Sequence, residues 1–224
     1  MGFRVLKSIA VSKALRLYHK TFYSTRREVV FRGAKVYLDY PVFIPKYTIS
    51  TDLLVETVES IGVEGRILDF GCGSGAISIL VASIVPGVRE VVCYDVSPSA
   101  LRVASLNIVR NKVFGKVRVS RDIRGVFDVV ISNPPYLPLD PRDELDENWC
   151  GGSSLEVVRE LFLTARKVLH KGGLLITAYS SLTGRREVEV IASASGFREI
   201  KRLKRKLLVD TVYVSVYKKL CQRR

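Results

Sequence analysis

The sequence predicts an α/β fold built on an open, doubly wound, mostly parallel sheet of seven strands. Three observations support this. The chain has 224 residues of which 47% are hydrophobic, which is enough for one α/β domain with a buried core. From residue 65 onwards short apolar runs alternate with segments of helical periodicity. A glycine-rich turn also joins the first of these apolar runs to the helix that follows it.

The predicted elements follow one another in a regular order. The strands cover residues 65–71, 90–97, 116–122, 127–133, 172–180, 197–207 and 210–218. The helices cover residues 52–61, 74–85, 98–111, 153–169 and 185–195. Their starts are indicated by Thr51 as a cap, by Pro98 in the first turn, and by a capping box from Ser153 to Glu156. Alternation of this kind places helices on both faces of a parallel sheet.

The N-terminal segment predicts a short, basic, amphipathic helix over residues 3–20. Its apolar stripe is formed by Phe3, Leu6, Ala10, Ala14 and Leu17. Such a helix can pack on the domain, bind a partner or lie on a membrane surface, and packing is the preferred interpretation. We therefore divide the chain into a basic N-terminal extension, residues 1–35, and a main domain, residues 36–224.

The net charge of +14 is concentrated at the two ends of the chain. Residues 1–35 contain nine Lys or Arg and one acid, residues 196–224 contain ten and two, and the middle carries a net −2. Basic ends favour nucleic acid, ribosomes or an acidic protein as partners. A solvated charged surface is the alternative explanation.

The cysteines and the apolar runs indicate a cytoplasmic protein without a membrane span. The four cysteines, Cys72, Cys93, Cys150 and Cys221, form no CxxC pair, which predicts neither a disulfide framework nor a metal site. A reducing cytoplasm is the simplest setting. No run reaches the roughly 18 apolar residues of a membrane helix. Lys7, Lys13 and Arg16 interrupt the N-terminal apolar residues, which argues against a secretory signal.

The turn after the first core strand contains Gly71, Gly73 and Gly75. Glycines tolerate positive φ and let a ligand approach the backbone, and open α/β sheets bind ligands at the carboxyl ends of their strands. The turn lacks the GK[ST] of a P-loop, and its GxGxG spacing differs from the dinucleotide-binding fingerprint. A plain tight turn remains the alternative.

Three acids lie at the ends of the first three predicted core strands: Asp69, Asp95 and Asp122. Asp95, about twenty residues beyond the glycines, is placed to accept both hydroxyls of a ribose. Asp122 can meet an adenine amino group. A single aspartate at a strand end is commonly a turn former or a helix cap, but three in succession favour a nucleoside ligand.

The fourth predicted core strand ends in Asn133, Pro134, Pro135 and Tyr136. The two prolines have no backbone N–H and a fixed φ, so they make a rigid turn that is poor in donors. The side-chain oxygen of Asn133 and the carbonyl of Pro134 can each accept one N–H of an NH₂ group. The ring of Tyr136 can then pack on a planar amide or stack on a base. A simple strand-terminating turn is the alternative.

Together, "LDFGCGSG", "YDVSPSAL", "SRDI" and "ISNPPYLP" resemble class I S-adenosylmethionine-dependent methyltransferases, whose fold is Rossmann-like. The resemblance implies S-adenosyl-L-methionine as cofactor and S-adenosyl-L-homocysteine as product. The cofactor-binding residues that it implies are Thr51, Asp69, Gly71, Gly73, Gly75, Asp95, Val96, Asp122, Ile123 and Asn133. The catalytic residues that it implies are Asn133, Pro134, Pro135 and Tyr136.

The Asn-Pro-Pro-Tyr motif is typical of enzymes that methylate an exocyclic or amide nitrogen. These include nucleobase methyltransferases and the HemK/PrmC family, which methylates the glutamine of the Gly-Gly-Gln loop in peptide-release factors. "VFIPKYTISTDLLVE" resembles the segment of HemK/PrmC proteins usually written IPRPxTExLVE, with two extra residues before Thr51-Asp52. "WCGGSSLEVVREL" is similar to the short archaeal and eukaryotic branch of that family.

The short branch implies a release factor as substrate and a small zinc-binding activator subunit as partner. Two alternatives stay open, a nucleic-acid N-methyltransferase and a non-catalytic cofactor-binding module. The chemistry needs no general base, which agrees with placing His19 and His170 as structural or surface residues outside the motifs. The acidic loop Asp140–Trp149 either contacts the substrate or is a solvated loop.

Overall fold

The computed structural model describes residues 2–25, 27–46 and 48–220. The helices are α1 (Phe3–Thr25), α2 (Ile49–Ile61), α3 (Ala76–Ile84), α4 (Pro98–Arg110), α5 (Glu156–Val168) and α6 (Arg185–Ala194). The strands are β1 (Glu28–Phe31), β2 (Ala34–Tyr37), β3 (Gly65–Phe70), β4 (Val88–Tyr94), β5 (Val117–Ser120), β6 (Phe127–Ser132), β7 (Leu169–Ser180), β8 (Phe197–Lys206) and β9 (Thr211–Lys219). A 3₁₀ turn covers Asp146–Asn148. None of the helices described here is long and apolar enough to cross a bilayer.

The main sheet has seven strands in the order β5-β4-β3-β6-β7-β9-β8. Neighbouring strands run parallel from β5 to β7, and β9 is antiparallel to both of its neighbours. The central strands β3 and β6 are buried on both faces, which explains their nearly continuous apolar sequences. The predicted seven-stranded, mostly parallel sheet is therefore confirmed.

Two layers of helices cover this sheet. Alternate strand residues such as Ile67 and Ile131 pack against α2, α3 and α4, and their neighbours such as Leu68 and Val130 pack against α5 and α6. Leu161, on α5, is fully buried in the second layer. The alternation follows from the two-residue period of a strand, and it makes the fold doubly wound as predicted.

Helix α1 packs on the domain through a different face from the predicted one. All five members of the predicted apolar stripe (Phe3, Leu6, Ala10, Ala14 and Leu17) are exposed. The buried positions are instead Ser8, Ser12 and His19. The predicted buried face was wrong because two polar side chains of α1 are buried through hydrogen bonds to the domain. Ser12 accepts one from the indole N–H of Trp149, and His19 accepts one from the backbone N–H of Ile44.

Strands β1 and β2 form an antiparallel hairpin where the sequence indicated only irregular or strand structure. Asn107 of α4 holds it, accepting from the N–H of Tyr37 at 2.7 Å and donating to its carbonyl at 3.2 Å. Val29 and Val36 belong to the same core as α2 and α3. The division at residues 35 and 36 thus falls inside β2, since the hairpin spans it.

Two helices begin at residues other than the predicted ones. Helix α5 begins at Glu156 rather than Ser153, since Leu155 before it takes a positive φ of 60° and the N–H of Ser153 is bound by Asp140. Helix α2 begins at Ile49, so that Thr51 lies within its first turn. The start of α4 at Pro98 is as predicted, and Ser97 caps it.

Candidate active site

A cavity of about 630 Å³ lies at the carboxyl edge of the sheet, above β3, β4 and β6. Parallel strands bring their carboxyl ends to one edge, so residues distant in sequence meet there. The cavity wall includes the predicted site residues Thr51, Gly71, Gly73, Asp95, Val96, Asn133, Pro134 and Pro135. Its volume lies within the range of typical small-molecule sites.

Two glycines of the turn, Gly71 and Gly73, line this cavity, whereas Gly75 does not and instead faces Ala104 of α4, which a Cβ there would meet at 3.1 Å. Gly71, Gly73 and Gly75 take φ values of +74°, +53° and +75°, a region that other residues rarely adopt. The N–H groups of Gly71 and Cys72 both donate to the carbonyl of Tyr94, at 2.8 and 3.0 Å. The turn is therefore tied to the end of β4, which carries Asp95.

Asp95 is held by backbone donors on both carboxylate oxygens. The N–H of Gly73 donates to Oδ2 and the N–H of Ser97 donates to Oδ1, each at 2.9 Å. Burial raises the pKa of Asp95, and these backbone hydrogen bonds oppose the rise. The carboxylate lies at the cavity wall beside the exposed Val96. Its contact with a ribose stays a prediction.

Asp69 is fully buried and does not line the cavity. Ser78 of α3 donates to its Oδ2 at 2.6 Å, whereas Oδ1 is buried without a hydrogen-bond partner in the described structure. Burial raises the pKa of Asp69 to about 7. Asp69 therefore joins β3 to α3 from within the core.

Asp122 and Ile123 are not part of the cavity wall. Strand β5 ends at Ser120, and the Ser120 hydroxyl donates to the carbonyl of Asp122 at 2.7 Å, so the chain bends away at the sheet edge. The exposed Asp122 forms an ion pair with Arg124 at 2.8 Å. The structure thus does not place Asp122 for the adenine contact expected from the sequence. Tyr94, which directly precedes Asp95, lines the cavity and was missed.

Asn133 presents an unused acceptor at the cavity wall. Its Nδ2 donates to Thr51 Oγ1 at 3.1 Å, while its Oδ1 is buried and has no hydrogen-bond partner in the described structure. Ser132 immediately before it donates to the carbonyl of Phe70 at 2.7 Å and fixes the end of β6 against β3. A buried acceptor without a partner costs free energy, so its presence here points to a donor on a ligand.

The proline turn is held by a close backbone approach from Gly151. A Cβ at Gly151 would lie 2.2 Å from the carbonyl oxygen of Pro135, so only glycine fits. Leu137 N–H donates to Trp149 O at 2.8 Å, and Gly151 N–H donates to Leu137 O at 2.9 Å. Gly151 was not selected from the sequence, although the glycine pair after Trp149 was a visible signal.

Tyr136 does not face the cavity, contrary to the expected stacking on a substrate amide or base. Tyr136 packs against three buried clusters, which include Ala178 and Tyr179 of β7 and Leu182 just after it. Burial raises the pKa of Tyr136 to about 12, and a hydrogen bond with Ser50 opposes this. The expectation failed because the core beside the turn accepts the ring; Tyr136 holds the turn instead.

The acidic loop is divided between α1 and the cavity. Arg16 of α1 pairs with Asp143 and with the buried Asp146, which also pairs with Arg142 at 2.6 Å. These cations lower the pKa of Asp146, against the effect of burial. The remaining acids of this region that line the cavity are Asp140, Glu144, Glu147, Glu156 and Glu160. One part of the loop is therefore fixed to α1 by ion pairs, and the other part makes the mouth of the cavity acidic.

Neither histidine lines the cavity. His19 is buried; its Nε2 accepts from Ile44 N–H at 3.2 Å, which leaves Nδ1 to donate to Leu15 O at 2.9 Å. Burial lowers the pKa of His19 to about 4, so the ring is neutral. His170 lies on the surface, 3.3 Å from Asp128.

Cys72, Cys93 and Cys150 are buried and free, and Cys221 lies outside the described residues.

Comparison with known proteins places this geometry in context. Residues 42–205 match the family model described as the methyltransferase small domain. The chain is 31% identical over 207 residues to a release factor glutamine methyltransferase of Clostridium acetobutylicum, covering 83% of this chain and 71% of that protein. It is 28% identical to a putative protein N5-glutamine methyltransferase of Methanocaldococcus jannaschii, covering 76% of this chain and 88% of that protein.

Other relatives are named for a different substrate. The chain is 29% identical over 160 residues to the ribosomal RNA small subunit methyltransferase C of Haemophilus influenzae. That match covers 70% of this chain but only 44% of the relative, so the chain spans less than half of its length.

Two solved structures share the fold. One is a putative RNA methyltransferase from Pyrococcus horikoshii, with a TM-score of 0.59, 22% identity, and coverage of 75% of this chain and 82% of that one. The other is the N-methyltransferase NodS from Bradyrhizobium japonicum in complex with S-adenosyl-L-homocysteine, with a TM-score of 0.54, 18% identity, and coverage of 75% and 84%.

Proposed function

Because the chain belongs to the methyltransferase small-domain family, we propose that it transfers a methyl group from S-adenosyl-L-methionine to a planar NH₂ group. The proposed acceptor is the glutamine side chain in the Gly-Gly-Gln loop of a peptide-release factor. The observation that carries the proposal is the buried, unpartnered Oδ1 of Asn133, on a turn whose prolines supply no competing donor.

The acceptor nitrogen needs orientation more than activation by a base. The lone pair of an amide nitrogen is delocalised into its carbonyl, so the nitrogen is a weak nucleophile. Asn133 Oδ1 and the Pro134 carbonyl each accept one N–H, which aims the lone pair along the transfer direction and favours a tetrahedral nitrogen. Both contacts strengthen in the transition state, which raises the rate. Gly151 and Tyr136 hold the turn, so the acceptors are preorganised.

The cofactor side of the cavity fits a nucleoside ligand. The carboxylate of Asp95 accepts hydrogen bonds from ribose hydroxyls, and the glycine turn leaves backbone in the wall where side chains would intrude. S-adenosyl-L-methionine supplies a methyl group on a sulfonium, already activated for transfer, and S-adenosyl-L-homocysteine remains. The methylated nitrogen releases its proton to water, so the neutral, distant His19 takes no part.

The glutamine acceptor is supported by two relatives and by the charge of the mouth. The chain is similar to a release factor glutamine methyltransferase of C. acetobutylicum and to a putative protein N5-glutamine methyltransferase of M. jannaschii. Acids such as Glu144 and Glu147 at the cavity wall repel the phosphates of a nucleic acid. Base methylation is the second candidate, favoured by the cations of the exposed edge strand β8.

The test is transfer of labelled methyl groups to a release factor of the same organism. The Gln→Ala variant of its Gly-Gly-Gln loop is the matched control, and total tRNA, rRNA and DNA are tested in parallel. Each reaction is run with and without a small zinc-binding activator subunit, which the proposed function includes as a partner. Label on the intact factor alone is expected. Label on nucleic acid alone would contradict the glutamine acceptor and indicate methylation of a base.

A further inference from the structure

The hairpin of β8 and β9 projects beyond the edge of the sheet at which the cavity lies. Ser132, the last residue of β6, is level with Thr177 of β7, and Thr177 is level with Ser215 of β9. Strand β9 begins at Thr211, four residues before Ser215, so the hairpin rises about 13 Å above the end of β6. Strand β8 lies three strand spacings from β6, which is about 14 Å to the side. The end of the hairpin is therefore about 20 Å from the proline turn.

The turn from Leu207 to Asp210, which we call the hairpin tip, exposes apolar side chains on a firmly held backbone. The Asp210 carbonyl accepts from Leu207 N–H at 2.8 Å, and the Asp210 carboxylate accepts from Ser181 N–H at 3.1 Å. At the two central positions, Leu208 is fully exposed and Val209 is 53% exposed. Tight turns usually carry Gly, Asn, Asp, Ser or Pro at such positions. The backbone of the turn therefore gives no reason for a leucine and a valine here.

Positive charges flank the hairpin tip. Lys204 and Lys206, two residues apart on one face of β8, are exposed, and the described part of the chain provides no ion-pair partner for either. Arg205 between them faces the other way and pairs with Glu56 of α2 at 2.8 Å. The tip thus combines apolar side chains with two unpaired cations, whereas the mouth of the cavity is acidic.

The loop after β7 joins the hairpin tip to the proline turn. One end of this loop is bound by Asp210, through Ser181. At the other end, Thr183 Oγ1 donates to the Tyr136 carbonyl at 2.8 Å and accepts from Ser180 N–H at 3.1 Å. Thr183 is buried, so water does not compete for these hydrogen bonds. A partner bound at the tip is therefore held at a fixed distance from the proline turn.

The position and the chemistry of the tip indicate what kind of partner contacts it. A standard protein interface covers about 800 Å² on each partner, a patch roughly 30 Å across. A protein that places a side chain in the cavity therefore also covers the tip, whereas a short peptide does not reach it. Leu208 and Val209 suit an apolar protein surface and offer no ring on which a base can stack. The two lysines favour a partner with acidic side chains beside that surface.

We propose that the hairpin tip is a docking site for the protein substrate, with Leu208 and Val209 seated on an apolar patch that is rimmed by acidic side chains. This inference rests on the proposed function, because it assigns a second contact to the same substrate. The tip does not touch the reacting atoms. It raises the affinity for the whole substrate and leaves the chemical step to the cavity.

The first experiment compares the whole release factor with a short synthetic peptide that carries its Gly-Gly-Gln loop, using the full chain. Leu208→Ser/Val209→Ser should raise KM for the whole factor about 10-fold and keep kcat within about twofold, because only binding outside the cavity is lost. For the peptide, kcat/KM should stay at the parent value. An unchanged KM for the whole factor would overturn the proposal. So would an equal loss with the peptide, which would indicate a disturbed cavity.

The matched control for this change is Val109→Ser. Val109 is 63% exposed and lies near the end of α4, at the opposite edge of the sheet. It should leave KM for the whole factor unchanged. An equal rise in KM in this control would overturn the assignment to the tip.

A second pair of variants tests the charge of the partner. Lys204→Ser/Lys206→Ser should raise KM for the whole factor about 3- to 10-fold at low ionic strength, and the difference should vanish near 0.5 M salt, roughly where screening is complete. Lys116→Ser, just before β5 at the opposite edge, is the control. A rise that does not depend on salt, or an equal rise in Lys116→Ser, would overturn the acidic partner.

A further measurement does not depend on turnover. Titration calorimetry compares binding of the Gln→Ala release factor to the parent and to Leu208→Ser/Val209→Ser, with total tRNA and phosphatidylserine vesicles tested in parallel. Binding of the factor should be about 10-fold weaker in the variant. Equal binding, no binding to either enzyme, or a tip-dependent affinity for RNA or vesicles instead would overturn the docking proposal. Failure of the parent to methylate a factor that it binds through the tip would overturn the proposed function alone.

Discussion

The two walls of the cavity are built in different ways. The wall proposed to bind the cofactor, with the glycine turn and Asp95, comes from residues 69–97, and its backbone N–H groups donate to the Tyr94 carbonyl and to the Asp95 carboxylate. The acceptor wall brings Asn133 to Thr51, 82 residues away, and sets its loop on α1 through Trp149 and Ser12, 137 residues apart. The wall proposed to bind the cofactor is thus assembled from residues close in sequence, whereas the wall proposed to bind the acceptor depends on long-range packing.

The largest effect is expected on the acceptor wall at Asn133. Asn133→Ala removes the unpartnered acceptor and should lower kcat about 10²- to 10³-fold, the scale found when one preorganised transition-state contact is lost. Cofactor affinity should stay within a few-fold. A turnover assay beside titration calorimetry measures both. Asn111→Ala is the matched control, because Asn111 binds the hairpin at Lys35 instead. Full activity in Asn133→Ala would remove the two-acceptor model.

The next effect is expected where the loop approaches the proline turn. In Gly151→Ala the new Cβ would meet the Pro135 carbonyl oxygen at 2.2 Å, so the turn has to move. Displacement of this size should lower kcat about 10- to 100-fold with little change in cofactor affinity. Gly115→Ala is the control, since a Cβ there meets nothing within 4 Å. Equal kcat in the two variants would show that the turn position is not critical.

On the cofactor wall the expected effect is on affinity. Asp95→Ala removes a carboxylate at the cavity wall and should weaken cofactor binding by about 1–3 kcal/mol, with kcat preserved at saturating cofactor. Asp122→Ala should leave affinity unchanged, because its side chain is exposed and paired with Arg124. Titration calorimetry compares the two. A comparable loss in Asp122→Ala would restore the adenine contact expected from the sequence.

The smallest effects concern the pH dependence of stability, which has opposite signs for one buried group beside each wall. Asp69, beneath the cofactor wall, has its folded pKa raised from 3.8 to about 7. A group of this kind contributes most to stability at low pH, and that contribution is lost as the pH rises towards 7. Asp69→Asn should flatten the decline in the free energy of unfolding between pH 4 and 7, measured by urea titration. An unchanged slope would contradict the assignment.

His19, behind the acceptor wall, has its folded pKa lowered from 6.5 to about 4. Its contribution to stability is present above pH 6.5 and is lost as the pH falls towards 4, because the buried ring must then take a charge. His19→Gln should reduce the loss of stability over this range in the same titration. The surface variant His170→Gln serves as the comparison. Identical profiles in both variants would mean that His19 does not titrate as inferred.

Several features were readable from the sequence because they depend on neighbours along the chain. The two-residue and 3.6-residue periods predicted the parallel sheet and its helices, since each element buries its own apolar face. The glycine turn, Asp95 and the proline turn were found because short motifs carry their conformation in consecutive residues. Pro98 marked the start of α4 in the same local way.

Tertiary structure decided the rest, because those outcomes depend on contacts between distant residues. The sequence of α1 offers an apolar stripe, but the buried face is the one on which Ser12 accepts a hydrogen bond from Trp149 and His19 accepts one from Ile44 N–H. Tyr136 turns into the core, and Asp122 turns away, according to the space that packing leaves around each. Asn133 is the clearest case: its partner Thr51, on α2, is 82 residues away, so no local pattern can bring the two side chains together.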